Sequence, residues 1–239
     1  MPNKKLLKKP LKGSGIIDTV NALIYGRNKY PPHVRKFLET HKGEDIKSMR
    51  VGKKPISALS KKNGDLLTLG KYSKTLEKEG IDNLYHNWLE IETKDGKKYI
   101  IEKNATVEIK PYKNRDSDGT KYKDIDMTNK NIKVDELLNK SLQNSKDKNK
   151  FLSYKVEDSN CQNFVNKILN DSNLNNEDTN KFIVQPTEKI LEEKSFIVPR
   201  VIANTVANVA EKLNIIKEGA GKKKKLIKEI IIEYRKCKK

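Results

Sequence analysis

Cysteine is scarce in this chain: of 239 residues only Cys161 and Cys237 are cysteines, the second within a charged terminus. A structural disulfide between them is not expected, and the chain reads as one from a reducing, intracellular compartment. With two cysteines and three histidines, no Cys/His grouping has metal-ligand spacing, and neither a metal nor a cofactor is expected. Aromatic residues make up 6% of the chain and include a single Trp, so the stacking platforms that read single-stranded nucleic acid are not indicated. No apolar run reaches the roughly twenty residues of a membrane-spanning helix, and no signal-peptide pattern is present.

Charge is abundant. Charged side chains reach 35% and the formal net charge is +19. Residues 1–12 hold five lysines and no acid, and residues 221–239 hold nine basic against two acidic side chains, so the ends supply most of the excess. Such ends attract polyanions, whether an anionic membrane surface or non-specific nucleic acid. A lysine-rich solubilising end accounts for the same composition.

Two stretches carry chemistry. Asp158-Ser159-Asn160-Cys161-Gln162-Asn163-Phe164-Val165 reads as the start of a helix, capped by Asp158 or Ser159, with Phe164, Val165, Ile168 and Leu169 at helical spacing. Cys161 falls in the first turn, where free amides and the helix dipole stabilise a thiolate. It is also in phase with the apolar stripe, which suits a small core residue equally well. Upstream, the segment from Leu84 to Glu92 alternates Leu84, His86, Trp88 and Glu90 on one face with Tyr85, Leu89 and Ile91 off it, the period of a half-buried strand. A histidine on such a strand can be held at fixed distance from a helix packed on the sheet.

Asn160-Cys161-Gln162-Asn163-Phe164-Val165 resembles the Asn-Cys-x-x-Phe-Val block of the permuted papain-like proteins, a group that includes NlpC-like peptidases and the lecithin:retinol acyltransferase family. There the histidine strand precedes the cysteine helix, the order found in this chain. The resemblance spans roughly residues 46–170. It implies an α+β fold with a small antiparallel sheet and the cysteine helix packed on it, with Cys161 as nucleophile and His86 as its proton partner. The third residue, which orients the histidine, is implied on the following strand, where Glu102 and Asn104 are both placed to serve. Gln162-Asn163 and Tyr85-His86-Asn87-Trp88 differ from the acyltransferase branch, which leaves ester and amide substrates both open. The chain also resembles Lys/Asn-rich proteins of large DNA viruses and virus-like transposons, which implies a virion context with virion proteins as partners. A non-enzymatic virion or packaging protein, binding genome or membrane through its ends, is the competing expectation.

The domain reading is a basic leader (1–15), an N-terminal helical segment (16–45), the papain-like domain (46–170), a helical extension (171–218) and a basic amphipathic tail (219–239). Leu11-Lys12-Gly13-Ser14-Gly15 resembles sites cut by adenovirus-type maturation proteases, which would place a cleavage near Gly13–Gly15. Within the domain the sequence predicts a short helix over 34–39, a strand over 47–56, two short helices within 57–79, and a strand-rich part over 84–109 that turns at Asp95-Gly96. It further predicts a polar surface loop over 112–133, a helix over 134–143, a charged link over 145–150, a strand or extended lead over 151–156 and a polar linker over 171–178. Helices are expected to begin at Thr187 and Pro199, and the tail is expected to be amphipathic from Leu226 to Ile232.

Overall fold

The computed structural model describes residues 29–56, 71–104, 106–155 and 158–185. The expected leader, its Gly13–Gly15 motif, residues 16–28 of the N-terminal helical segment, residues 57–70 of the expected 57–79 helices, the helices after Thr187 and the tail with Cys237 lie outside the described residues.

Pro31 and Pro32 set the entry of α1 (Pro32–Thr40), because proline at a first helical position is already shaped for the turn. Val34 and Leu38, four residues apart, are its buried side. Strand β1 (Ile46–Pro55) and helix α2 (Lys71–Lys78) follow, then the hairpin of β2 (Tyr85–Thr93) and β3 (Lys98–Lys103). The hairpin turns at Asp95-Gly96, where Gly96 has φ +83°, a conformation glycine adopts without strain. Next come β4 (Val107–Pro111), β5 (Lys121–Ile125), α3 (Val134–Gln143), α4 (Lys148–Leu152), α5 (Cys161–Asp171) and α6 (Glu177–Ile183). The fold is α+β, with one five-stranded antiparallel sheet in the order β4-β3-β2-β1-β5.

The two faces of the sheet do different jobs. Met49, Val51, Leu89, Ile91, Ile101 and Ile109 share one face and pack with Val134 and Leu138 of α3 and with Val165, Ile168 and Leu169 of α5. Burying each such side chain is worth roughly 1.5–3 kcal/mol. The same core takes in Tyr30 and Val34 before residue 46, and Leu174 and Ile183 after residue 170, so the packed unit extends past both edges of the expected 46–170 domain.

The opposite face carries charge around Trp88, which is fully buried. Gly52 lies directly opposite it on β1. A Cβ on Gly52 would come within 2.3 Å of the indole, so the close approach requires glycine. The indole N–H donates to Glu90 (2.8 Å), which also accepts from Arg50 (2.7 Å).

Three local expectations are corrected. Residues 121–125, expected within a loop, form edge strand β5, whose register sets Ile125 against Met49 and Tyr122 against Gly52. Lys-Tyr-Lys-Asp-Ile has no apolar period, and backbone pairing to β1 recruits it. The lead over 151–156 begins instead as the end of α4, because Asp147 caps that turn through the Lys150 N–H (3.0 Å). The linker over 171–178 runs into α6, which Asn176 caps and which buries Thr179 and Ile183. Asn176 followed by Glu177 and Asp178 is a helix-start signal, but too few apolar residues follow to reveal it.

Gly52→Ala is expected to destabilise the fold by about 2–3 kcal/mol, since neither the strand nor the indole beneath it has room to move. Urea unfolding followed by Trp88 fluorescence checks this, and a loss below about 0.5 kcal/mol would show that the contact relaxes freely.

Candidate active site

Helix α5 begins at Cys161 because Asn160 caps it. The Asn160 Oδ1 accepts the N–H groups of Gln162 (2.9 Å) and Asn163 (3.1 Å), and the Asn163 Oδ1 accepts the Asn160 N–H (3.2 Å). This reciprocal capping box replaces the expected cap from Asp158 or Ser159. Ser159 instead anchors the approach to the helix: its Oγ accepts from the ammonium of Lys103 (2.6 Å), the last residue of β3 and 1% exposed. The Lys103 ammonium also donates to the Lys150 carbonyl (3.2 Å).

Cys161 is 4% exposed. Its sulfur accepts from the backbone N–H groups of Asn87 and Gln162 and is hydrogen-bonded to the His86 ring. The last pair between β2 and β3 is Trp88–Glu102, so β2 runs on past its neighbour and its first residues are open to the helix start. His86 lies there, opposite Lys54. Its Nε2 is 2.9 Å from Glu102 Oε2, which leaves Nδ1 for the thiol.

Glu102, 2% exposed, is the hub of the site. Besides His86 it accepts both arms of Arg115, at 2.6 and 2.8 Å, and the Lys110 ammonium at 3.0 Å. The Arg115 guanidinium also lies over the Trp88 ring, 5.1 Å from its centroid. Of the two candidate orienting residues, Glu102 therefore meets His86, while Asn104 donates to Glu108 (3.2 Å). Arg115 was not foreseen. It sits in the polar 112–120 stretch beside Lys113, Asn114 and Asp116, and only its fork-to-carboxylate geometry singles it out.

The electrostatics follow from these contacts. Burial alone would push the Glu102 carboxyl up, but Arg115 and His86 outweigh it and hold the group well below the usual carboxylate range. Burial pushes His86 down, and the Cys161 and Glu102 charges reverse this and raise it to about 9. Burial also pushes the Cys161 thiol up, yet the His86 charge and the two backbone N–H donors bring it below its ordinary value. The thiolate and the imidazolium therefore stabilise each other, with the ring's Nε2 held by Glu102 and Nδ1 left for sulfur. Such a group can attack a carbonyl carbon and hand a proton to the departing atom. Among the described residues no cluster of three or more His, Cys, Asp or Glu side chains is set to hold a metal ion, and no helix is long and apolar enough to cross a membrane.

Arg115→Met is expected to cost about 2–3 kcal/mol in urea unfolding, because it strips the fork from a buried carboxylate that keeps only His86 and Lys110. Arg115→Lys should recover part of the loss, since an ammonium supplies charge without the paired geometry. Equal stability of all three proteins would show that His86 and Lys110 suffice to hold Glu102.

No protein-family model, curated protein sequence or solved structure matches this chain.

Proposed function

We propose that the protein is a cysteine-dependent hydrolase or acyltransferase of the permuted papain-like kind, acting on an ester or amide through a thioester. The observation that carries this reading is the buried relay of Cys161, His86 and Glu102, in which a thiol, an imidazole and an ionised carboxylate are joined in series. Chain order supports it: the histidine strand comes first, the orienting residue lies on the adjacent strand, and the cysteine opens a later helix.

In the proposed reaction the Cys161 thiolate attacks the carbonyl carbon and a C–S bond forms. His86 passes its Nδ1 proton to the leaving oxygen or nitrogen as the bond to it breaks. Water or an acceptor hydroxyl or amine then attacks the thioester, His86 takes its proton, and the C–S bond breaks to restore the thiolate. Glu102 keeps the ring oriented and stabilises its charged form, and Arg115 and Lys110 keep Glu102 ionised. The basic ends, outside the described residues, would bring the enzyme to a polyanionic surface such as a genome or an anionic membrane, in keeping with a virion context.

The test is the pH dependence of Cys161 alkylation by iodoacetamide in a Cys237→Ser background. The expected apparent thiol pKa is well below 8.5. A second rise in rate is expected near pH 9, as the imidazolium loses its proton and leaves the thiolate unpaired. His86→Ala should move the thiol pKa to 8.5 or above, because burial opposes ionisation once the partner charge is gone. Ordinary reactivity indifferent to His86 would discard the enzyme reading and favour a protein that binds genome or membrane through its ends.

A further inference from the structure

A nucleophile must be reached, yet Cys161 is 4% exposed. The chain's own segment after α6 lies beside it, bonded to Gln162 and to residues 83–87. Val184 leaves the helix in extended conformation (φ −84°, ψ 124°), and the segment from Phe182 to Gln185 lies along residues 83–87 at the start of β2. The Phe182 carbonyl accepts from Lys53 (2.8 Å) and the Ile183 carbonyl from the Asn87 side chain (3.5 Å). The Gln185 N–H donates to Gln162 Oε1 (3.0 Å), and the Gln162 amide donates back to Gln185 Oε1 (2.9 Å). Gln185 Oε1 also accepts the Tyr85 N–H (2.9 Å), and Gln185 Nε2 donates to the Asn83 carbonyl (2.7 Å). Gln162 is the residue next to the nucleophile, and Asn87 supplies one of the N–H groups on its sulfur.

Two features mark this segment as displaceable. Its hold beyond Ile183 is made of hydrogen bonds, each exchangeable for one to water. Val184, at 42% exposure, is the exposed large hydrophobic residue among the described residues, turned away from the core while its neighbours bond inward.

The lining of the groove also restricts what can replace the segment. It presents the Tyr85 N–H, the Asn83 carbonyl, the Gln162 and Asn87 amides and the Lys53 ammonium, a set that matches the alternating donors and acceptors of a peptide backbone. An acyl chain in the same place would leave these groups buried and unpaired, at a cost an apolar contact does not recover.

We propose that residues 184–185 are a displaceable strap beside Cys161, and that the groove they fill takes an extended polypeptide segment, which replaces the strap to bring a carbonyl to the thiolate. The substrate class is thus an amide within a polypeptide, an assignment that rests on the cysteine reading above.

The experiment measures iodoacetamide alkylation of Cys161 in the full-length Cys237→Ser chain. Gln185→Ala is expected to raise the rate at pH 7 about tenfold or more with the thiol pKa unchanged, since access and not acidity is altered. The acetylated, amidated peptide Phe-Ile-Val-Gln at millimolar concentration should return the variant's rate towards that of the parent, and methyl octanoate should not. A rate within twofold of the parent overturns the strap. Protection by methyl octanoate, or by neither probe, overturns the polypeptide assignment. Native-state amide exchange of the parent chain guards against a variant that fails to fold: the Tyr85 and Gln185 amides should exchange well before the hairpin core, and exchange at the core rate overturns the strap. Failure of the cysteine reading shows separately, as an ordinary thiol pKa indifferent to His86.

Discussion

The buried carboxylate of Glu102 is the group on which the site depends. A carboxylate this far from water costs several kcal/mol unless partners surround it, and Glu102 has three: His86, Arg115 and Lys110. Because two of them are permanent cations, the carboxylate stays ionised over the whole working pH range. An ionised carboxylate on Nε2 settles which face of the imidazole is left for sulfur, and it stabilises the charged ring that in turn stabilises the thiolate. Removing the charge from Glu102 would undo both steps, so the acidity of a cysteine on α5 is tuned from β3 through His86.

The sheet makes this arrangement affordable by separating its two faces. The hydrophobic face supplies the folding free energy, with α1, α3, α5 and α6 closed over it. The charged face has little apolar area to contribute beyond Trp88 and Ile100, and its buried carboxylates, Glu90 and Glu102, have a desolvation cost that their ion pairs roughly offset. Arg115 and Arg50 nonetheless do more than balance Glu102 and Glu90. The guanidinium of Arg115 covers the indole, that of Arg50 lies 4.0 Å from the centroid of the Tyr122 ring, and Gly52 lets the indole sink between strands. The aromatic pair and the two guanidiniums thus exclude water from the carboxylates, which strengthens every charge interaction made there.

Much of this was legible in the chain, for identifiable reasons. The alternation from Leu84 to Glu92 placed His86 and Trp88 on one face, and Phe164, Val165, Ile168 and Leu169 placed Cys161 at the start of a packed helix. Both signals are local and periodic. Choosing between Glu102 and Asn104 was beyond sequence reading, since both suit a hydrogen bond and only register decides which lies across from Trp88. Strand β5 and helix α6 were missed because tertiary pairing and one cap define them, not apolar periodicity. Arg115 and Gln185 were missed for a different reason. Each acts through a single long-range polar contact, and in a chain this rich in basic and amide side chains such a residue carries no distinguishing local signal.

Register also links the two halves of the site. Glu102 and Lys103 are neighbours at the end of β3, and the pleat sends them to opposite faces. Glu102 turns to the charged face and holds the histidine. Lys103, paired with the core residue Val107, turns to the helix side and holds Ser159, two residues before the cysteine. One strand end therefore holds both His86, through Glu102, and the approach to Cys161, through Ser159. A one-residue slip of β3 would set Glu102 among the helix-side carbonyls in one direction, or Lys103 against Arg115 in the other. Both placements are electrostatically unfavourable, so the charges that build the site also select the register in which it forms.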